Sequence, residues 1–291
     1  MTGKRWFRWG ATAATALVVA GVPLAIQVFG QGAASASTVP SAQVTSALTA
    51  FDSTPAKTAV AQCPAGKRVI GGGGRVNGAQ HVVITRQEPV HVAAGDSFAV
   101  DAHEDEVGFG GSWAVQAFAI CSAPIAGLEI VSATSPVSSN AFTSLSASCP
   151  GGKFALGGGG RINGGNGQVD LSTLAEGASV SSRTTAAGTE DLNGFAGTYS
   201  VTAFAVCATG AFADFQVVKV TSAQDSTDRK ILTADCPVGK RVTGGAAFSS
   251  IPGVVESVSP DANRLRVGVI ARENTFTTGT WAVTAVAFCA S

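Results

Sequence analysis

Apolar and polar residues alternate cleanly ahead of three cysteines. Counting back two residues from Cys63, Cys149 and Cys236 gives Ala61, Ala147 and Ala234; counting back four gives Ala59, Leu145 and Leu232. The residues just before the cysteines are Gln62, Ser148 and Asp235. Each cysteine therefore belongs to the apolar face of a period-two strand. A second set of strands ends on Cys121, Cys207 and Cys289. Its cysteine face reads Trp113, Val115, Ala117, Ala119, Cys121 in the first copy, with Tyr199 or Trp281 leading the others. The opposite face is also largely apolar, so these strands are predicted to be central in their sheets. Between the two cysteines of a copy run a Pro-x-Gly turn, with proline expected in its second position and glycine in its fourth, then a glycine-rich strand and two further short strands. Asn77-Gly78 and Asn163-Gly164 close the glycine-rich strand and predict tight hairpins there. A β-branched segment opens each copy, at 44–48, 128–131 and 215–220. The count is six short strands per copy, and no stretch beyond the N-terminal segment holds a helical period.

The copies are internal repeats. Cys63-Pro-Ala-Gly-Lys67 returns as Cys149-Pro-Gly-Gly-Lys153 and Cys236-Pro-Val-Gly-Lys240, and the first cysteines lie 86 and 87 residues apart. Such a period dictates the architecture. It predicts an all-β chain of three tandem antiparallel β-sandwich-like modules, at 41–123, 124–210 and 211–291, each of about 85 residues with one disulfide. The alternative is a single pseudo-threefold β-prism. Two disulfide patterns respect the repeat. One is within units: Cys63–Cys121, Cys149–Cys207 and Cys236–Cys289. The other joins neighbours: Cys121–Cys149, Cys207–Cys236 and Cys63–Cys289.

The N-terminal segment changes the compartment. Lys4, Arg5 and Arg8 precede an uncharged apolar stretch from Ala11 to Gly30, and Ala34-Ser35-Ala36 has the small-x-small form of a cleavage site. Residues 1–36 are thus expected to be a signal peptide, with Ser37 as the mature terminus and 37–40 as a short lead-in. An uncleaved membrane anchor is the other reading. The first 36 residues hold three of nineteen basic residues and no acidic ones, so the remainder has 16 basic against 19 acidic and a formal charge of −3. That charge argues against nucleic acid, which requires a basic stripe, and offers no polybasic handle for anionic lipid. No membrane span is expected after cleavage. Six cysteines in an exported chain read as a disulfide framework. Without Cys-x-x-Cys pairs, and with every histidine in the first repeat, they do not read as a metal site, and no cofactor is called for.

Several recurring residues have both a structural and a functional reading. The glycine runs lack the Gly-Lys-Ser/Thr order of a phosphate loop. Gly72, Gly158 and Gly244 are instead expected to let a neighbouring sheet or a large aromatic approach closely, with Trp113, Tyr199 and Trp281 as natural partners. Lys67, Lys153 and Lys240 read as solvated edge guards, or as grips for an anion. Arg75 with Asn77, and Arg161 with Asn163, form planar polar pairs suited to sugar hydroxyls or carboxylates. Phe248 and Ser250 replace them in the third repeat. Glu104-Asp105 and Glu190-Asp191 are recurring carboxylates, placed for cation binding or acid–base work. His103 beside Glu104 or Asp105 is the one enzymatic constellation, and it exists in a single repeat. No Gly-x-Ser-x-Gly elbow is present.

The Cys-Pro-x-Gly-Lys, Gly-Gly-Gly and closing Ala-Phe-Ala-x-Cys pattern resembles a repeat of exported, largely uncharacterised actinobacterial proteins, over nearly all of 41–291. The Cys-Pro-x-Gly start and cysteine-closed strand also resemble vitelline membrane outer layer proteins, whose fold is a three-sheet β-prism, although the repeat here is longer. The first resemblance implies export and a non-enzymatic character, and neither implies site residues. The expected function is therefore binding of polysaccharide or cell-envelope components through repeated β modules, secreted or held at the cell surface. The rival expectation is a self-assembling structural or protective surface protein that binds no sugar.

Overall fold

A computed structural model of the chain describes residues 39–175, 182–191, 193–209, 214–250, 253–273 and 279–291. The expected signal peptide lies outside them, as does part of the boundary between the second and third repeats. Eighteen strands and no helix occur among the described residues, and no helix there is long and apolar enough to cross a membrane.

The first repeat supplies β1 (Gln43–Leu48), β2 (Ala56–Gln62), β3 (Arg68–Asn77), β4 (Val82–Val92), β5 (Gly95–Glu104) and β6 (Ala114–Ser122). The second supplies β7 (Glu129–Thr134), β8 (Phe142–Ser148), β9 (Lys153–Gly164), β10 (Val169–Ala175), β11 (Arg183–Glu190) and β12 (Tyr199–Thr209). The third supplies β13 (Gln216–Thr221), β14 (Arg229–Asp235), β15 (Arg241–Ser249), β16 (Gly253–Pro260), β17 (Arg266–Glu273) and β18 (Val283–Ala290). Burial alternates along β2 as the sequence pattern requires, and β6, β12 and β18 are each flanked on both sides.

Within a repeat the six strands form two antiparallel triplets. β1, β6 and β3 make one in the first repeat; β2, β5 and β4 make the other. Apolar side chains pack between them: Val69, Ile84, Phe98, Val100, Trp113 and Val115 are buried in one cluster. The triplets do not end at the repeat boundary. β3 pairs with β16 of the third repeat, and β4 pairs with β9 of the second. Two six-stranded sheets result, in the orders β1-β6-β3-β16-β17-β14 and β2-β5-β4-β9-β12-β7. The matching junction between β15 and β10 carries no ladder, which leaves two three-stranded sheets, β10-β11-β8 and β13-β18-β15. The described residues of all three repeats belong to one compact unit, so the repeats are not separate bodies.

The glycine runs explain the sharing. A one-residue register shift follows Val69, Ala155 and Val242, burying Ile70, Leu156 and Thr243 and bringing Gly71, Gly157 and Gly244 together. A Cβ on Gly71 would stand 2.8 Å from the Cα of Gly244. One on Gly157 would stand 3.0 Å from the Cα of Gly71, and one on Gly244 2.7 Å from the Cα of Gly157. Three backbones meet where no side chain fits. Two positions along, a Cβ on Gly73 or Gly159 would strike the carbonyl oxygen of Val258 or Gln87, in the strand arriving from another repeat. The third repeat has Ala246 there, and the ladder is missing.

Three expectations are corrected. Asn77-Gly78 and Asn163-Gly164 do not close hairpins: β3 and β4 enter different sheets, as do β9 and β10, and the Asn-Gly corners carry the chain between layers. The Pro-x-Gly turn starts at the proline, with Lys67 N–H donating to Pro64 O at 3.0 Å and Gly66 third in the turn at φ +76°. Trp113 is not what covers Gly72, whose added Cβ would meet the Phe98 ring and the Phe118 carbonyl; at Gly158 it would meet Thr184 and the Phe204 carbonyl. Tyr199 and Trp281 do face glycines, but these are Gly188 and Gly253 on other strands.

The disulfides follow the within-unit pattern: Cys63–Cys121, Cys149–Cys207 and Cys236–Cys289. Each joins the two triplets of its repeat. Because those triplets belong to different sheets, the three bonds link all four sheets in series. They suit an oxidising compartment.

Candidate functional site

The recurring lysines serve the fold. Lys67 Nζ donates to Ser41 O and Gln43 Oε1, Lys153 Nζ to Gly127 O and Glu129 Oε1, and Lys240 Nζ to Asp214 O and Gln216 Oε1. Each ties the turn after the first cysteine to the opening strand of its own repeat, so none is a free edge guard.

A second lysine pair escaped the sequence reading. Counting back six from the first cysteine gives Lys57, Thr143 and Lys230, polar residues on the inward face. Lys57 and Lys230 are buried, donate to Asp52 and Asp225, and lie 4.9 Å from the ring centroids of Trp113 and Trp281. Hydrogen bonding to these lysines lowers both aspartates to about 2. The second repeat replaces the set as a whole, with Ser138, Thr143 and Tyr199. Tyr199 Oη donates to Asn140 O at 2.7 Å.

The planar polar pairs fall into different settings. Arg161 Nε donates to Asn163 Oδ1 at 2.8 Å, and its Nη1 to Glu88 Oε2 of the first repeat at 3.1 Å. Asn163 Nδ2 donates onward to Thr202 Oγ1 at 3.0 Å. Arg75 is exposed, and Asn77 reaches only its backbone carbonyl, at 3.5 Å. Of the carboxylates, Asp105 and Asp191 come within electrostatic reach of each other and of Glu106, while Glu104 and Glu190 make local contacts. Glu104 Oε1 accepts from Trp113 Nε1 at 3.0 Å, and Asp105 Oδ2 lies 3.1 Å from His81 Nδ1, so His81 and not His103 pairs with it. Glu190 Oε2 accepts from Phe195 N–H at 3.3 Å. Asp191 is buried beside Glu106, which itself accepts from Asn193 Nδ2 at 2.7 Å; burial and the Glu106 charge push the Asp191 carboxyl up to about 7. The four planar residues and the four carboxylates therefore do not assemble into one site. Among the described residues no three His, Cys, Asp or Glu side chains are grouped to hold a metal ion.

A site does form where repeats meet. Each junction sets the corner after one glycine-rich strand against strand ends of another repeat. Between the second and first repeats the junction is shut: a Cβ on Gly167 would strike the Glu104 carbonyl. Between the first and third it opens into a cleft of about 710 Å³. Val76, Ala79 and Phe109 make its apolar wall; Asp228, Arg229, Glu256, Arg272 and Glu273 make the polar one. Glu256 is buried; it accepts a hydrogen bond from Arg229 Nε at 3.2 Å and pairs by charge with Arg272, whose Nε lies 3.2 Å away without hydrogen-bond geometry. Arg272 Nη2 also donates across the junction to Val82 O at 3.4 Å. Arg229 remains half exposed to the cleft. A fixed guanidinium fork, carboxylates and an aromatic wall can bind a polar ring by its edge and its face together. Sequence reasoning missed these residues because they come from β14, β16 and β17 and meet a corner about 150 to 195 residues earlier in the chain.

No protein-family model matches this chain, and no curated protein sequence matches it.

Proposed function

We propose that the chain is an exported, non-enzymatic binding protein that recognises polysaccharide or another cell-envelope component. The cleft between the first and third repeats carries this reading. It offers hydrogen-bond donors and acceptors with an apolar wall, the combination a sugar ring satisfies. Recognition then runs through one principal cleft, not through three equal modules. The body is read as one pseudo-threefold, prism-like unit, since its glycines meet at the centre and its sheets run across repeat boundaries. Cleavage after Ala36 would release it, and the three disulfides fit that route.

The test is co-sedimentation of residues 37–291 with washed cell envelope and a panel of insoluble polysaccharides, beside Arg229→Ala. Binding that Arg229→Ala weakens about tenfold, a cost of about 1.4 kcal/mol, supports the cleft. Binding the variant leaves unchanged moves recognition elsewhere, and no binding at all rejects the reading.

Surface assembly is favoured by one observation. Edge strands β2 and β14 carry the exposed apolar residues Val60 and Ile231. Unpaired edges of this kind template association with other chains. Light scattering that rises with concentration without ligand, and falls for Ile231→Lys, would support assembly over recognition.

A further inference from the structure

Three departures from the internal repeat meet at the junction of the second and third repeats. Ala246 and Ala247 stand where the other copies have glycine, and β15 and β10 lie side by side without a ladder. Phe248 stands where they have Arg75 and Arg161. Asp170 stands where they have Val83 and Val254, as the register shows: Asp170 opposes Thr189 as Val83 opposes His103 and Val254 opposes Arg272.

The unzipped junction leaves two adjoining cavities of about 150 Å³ each, sharing Phe142, Ser172 and Phe248. One is also lined by Asp170, Thr189 and Ser250. Asp170 is 5% exposed, and its Oδ2 is buried without a hydrogen-bond partner. The fold does not ask for this carboxylate, because it buries valine at the same place twice. An orphaned buried carboxylate is costly and calls for an occupant. Arg272 attracts it, while Asp191, Asp105 and Glu106 oppose its charge; burial outweighs the attraction and pushes the carboxyl up to about 7. One carboxylate among hydroxyls is too few hard ligands for a metal ion. It does match a cation that brings its own hydrogen-bond donors, and two phenyl rings suit the apolar body behind it.

We propose that this groove binds a primary ammonium group carried on a small ring, with Asp170 as its counter-ion and Phe142 and Phe248 against the ring. The site shares no lining residue with the Arg229 cleft, although Arg272 of that cleft attracts Asp170, and it does not depend on the proposal made for the cleft. Calorimetric titration of residues 37–291 at neutral pH, with glucosamine, cyclohexylamine, N-acetylglucosamine and cyclohexanol, tests it. At least one amine is expected to bind with Kd of about 1 mM or tighter, its uncharged counterpart at least about tenfold more weakly. Preference for glucosamine marks an amino sugar as the source, and preference for cyclohexylamine a simple amine. Asp170→Asn should lower amine affinity at least about tenfold, and circular dichroism melting should show it folded. Asp170→Val is the second non-binding variant, using the residue the other repeats carry. Equal binding of charged and uncharged analogues, no amine binding at this level, or unchanged affinity in either folded variant overturns the proposal.

Discussion

Replacing Asp170 by valine should stabilise the protein, and the gain should depend on pH. The folded chain holds this carboxyl at about 7, against an ordinary value of 3.8, because burial disfavours the charged form. A carboxyl raised in the folded state binds protons more tightly there than in the unfolded chain. Its unfavourable effect is absent below about pH 4, grows as pH rises, and is complete once pH passes the folded value. About three pK units at 1.36 kcal/mol each give about 4 kcal/mol above pH 7. For a chain of this size that is a rise in Tm of about 10 °C. Valine removes the titrating group and fits a position that two other repeats fill with valine. Urea unfolding followed by tryptophan fluorescence at pH 4.5, 6 and 8 reads the difference, since Trp113 and Trp281 are fully buried. The Asp170→Val advantage should be small at the lowest pH and largest at the highest. A variant less stable than the parent at pH 8, or an advantage equal at all three, refutes the reasoning.

Gly157→Ala should cost about 3 kcal/mol, through backbone overlap at the centre, while Gly151→Ala, in open space, should cost much less; both are read from urea midpoints. The Cys63→Ala/Cys121→Ala double variant should lose about 4 kcal/mol, from the 58-residue separation the bond closes. Lys57→Thr and Trp113→Tyr should be non-additive by about 1 kcal/mol in a double-mutant cycle, because the second repeat carries both changes together. Asp52→Asn should flatten the acid limb of the stability profile: the Asp52–Lys57 contribution is present above pH 3.8 and lost as pH falls toward 2.

What the sequence disclosed was what one repeat decides by itself. The alternation into Cys63 named the buried face of β2, and the place of both cysteines of a unit at the ends of inward-facing strands favoured the within-unit bonds that occur. Lys57 and Lys230 were legible too, as polar residues on an apolar face, and only the habit of reading lysine as surface hid them. What the sequence did not disclose needs a second repeat. Gly73 is glycine because the Val258 carbonyl arrives from β16, and no local pattern in β3 announces that neighbour. Asn77-Gly78 satisfies the chemistry of a two-residue hairpin, yet partners outside the pair draw β3 and β4 into different sheets. The cleft residues fail for the same reason, since Arg229, Glu256 and Arg272 recur in no other copy.

That contrast bears on where function resides. Features that recur in all three copies, such as the Cys-Pro-x-Gly-Lys turn and the central glycine, are consumed by bonds and contacts of the fold. The junctions share one backbone plan but not one lining. Arg229, Glu256 and Arg272 occupy the first–third junction; Ala56, Thr85 and His103 stand in the same places between the first and second, and Phe142 and Thr189 stand in two of them between the second and third, where β10 lacks the bulge that carries Glu256 and Thr85. Three equal weak sites would have required three equal linings, and avidity across identical modules is not what this arrangement supplies. A body whose repeats have specialised at their contacts instead presents distinct sites at fixed spacing. A ligand long enough to touch two of them would be selected by its order of chemical groups, and replacing Arg229 and Asp170 together would lower its affinity by the sum of the two single losses in free energy.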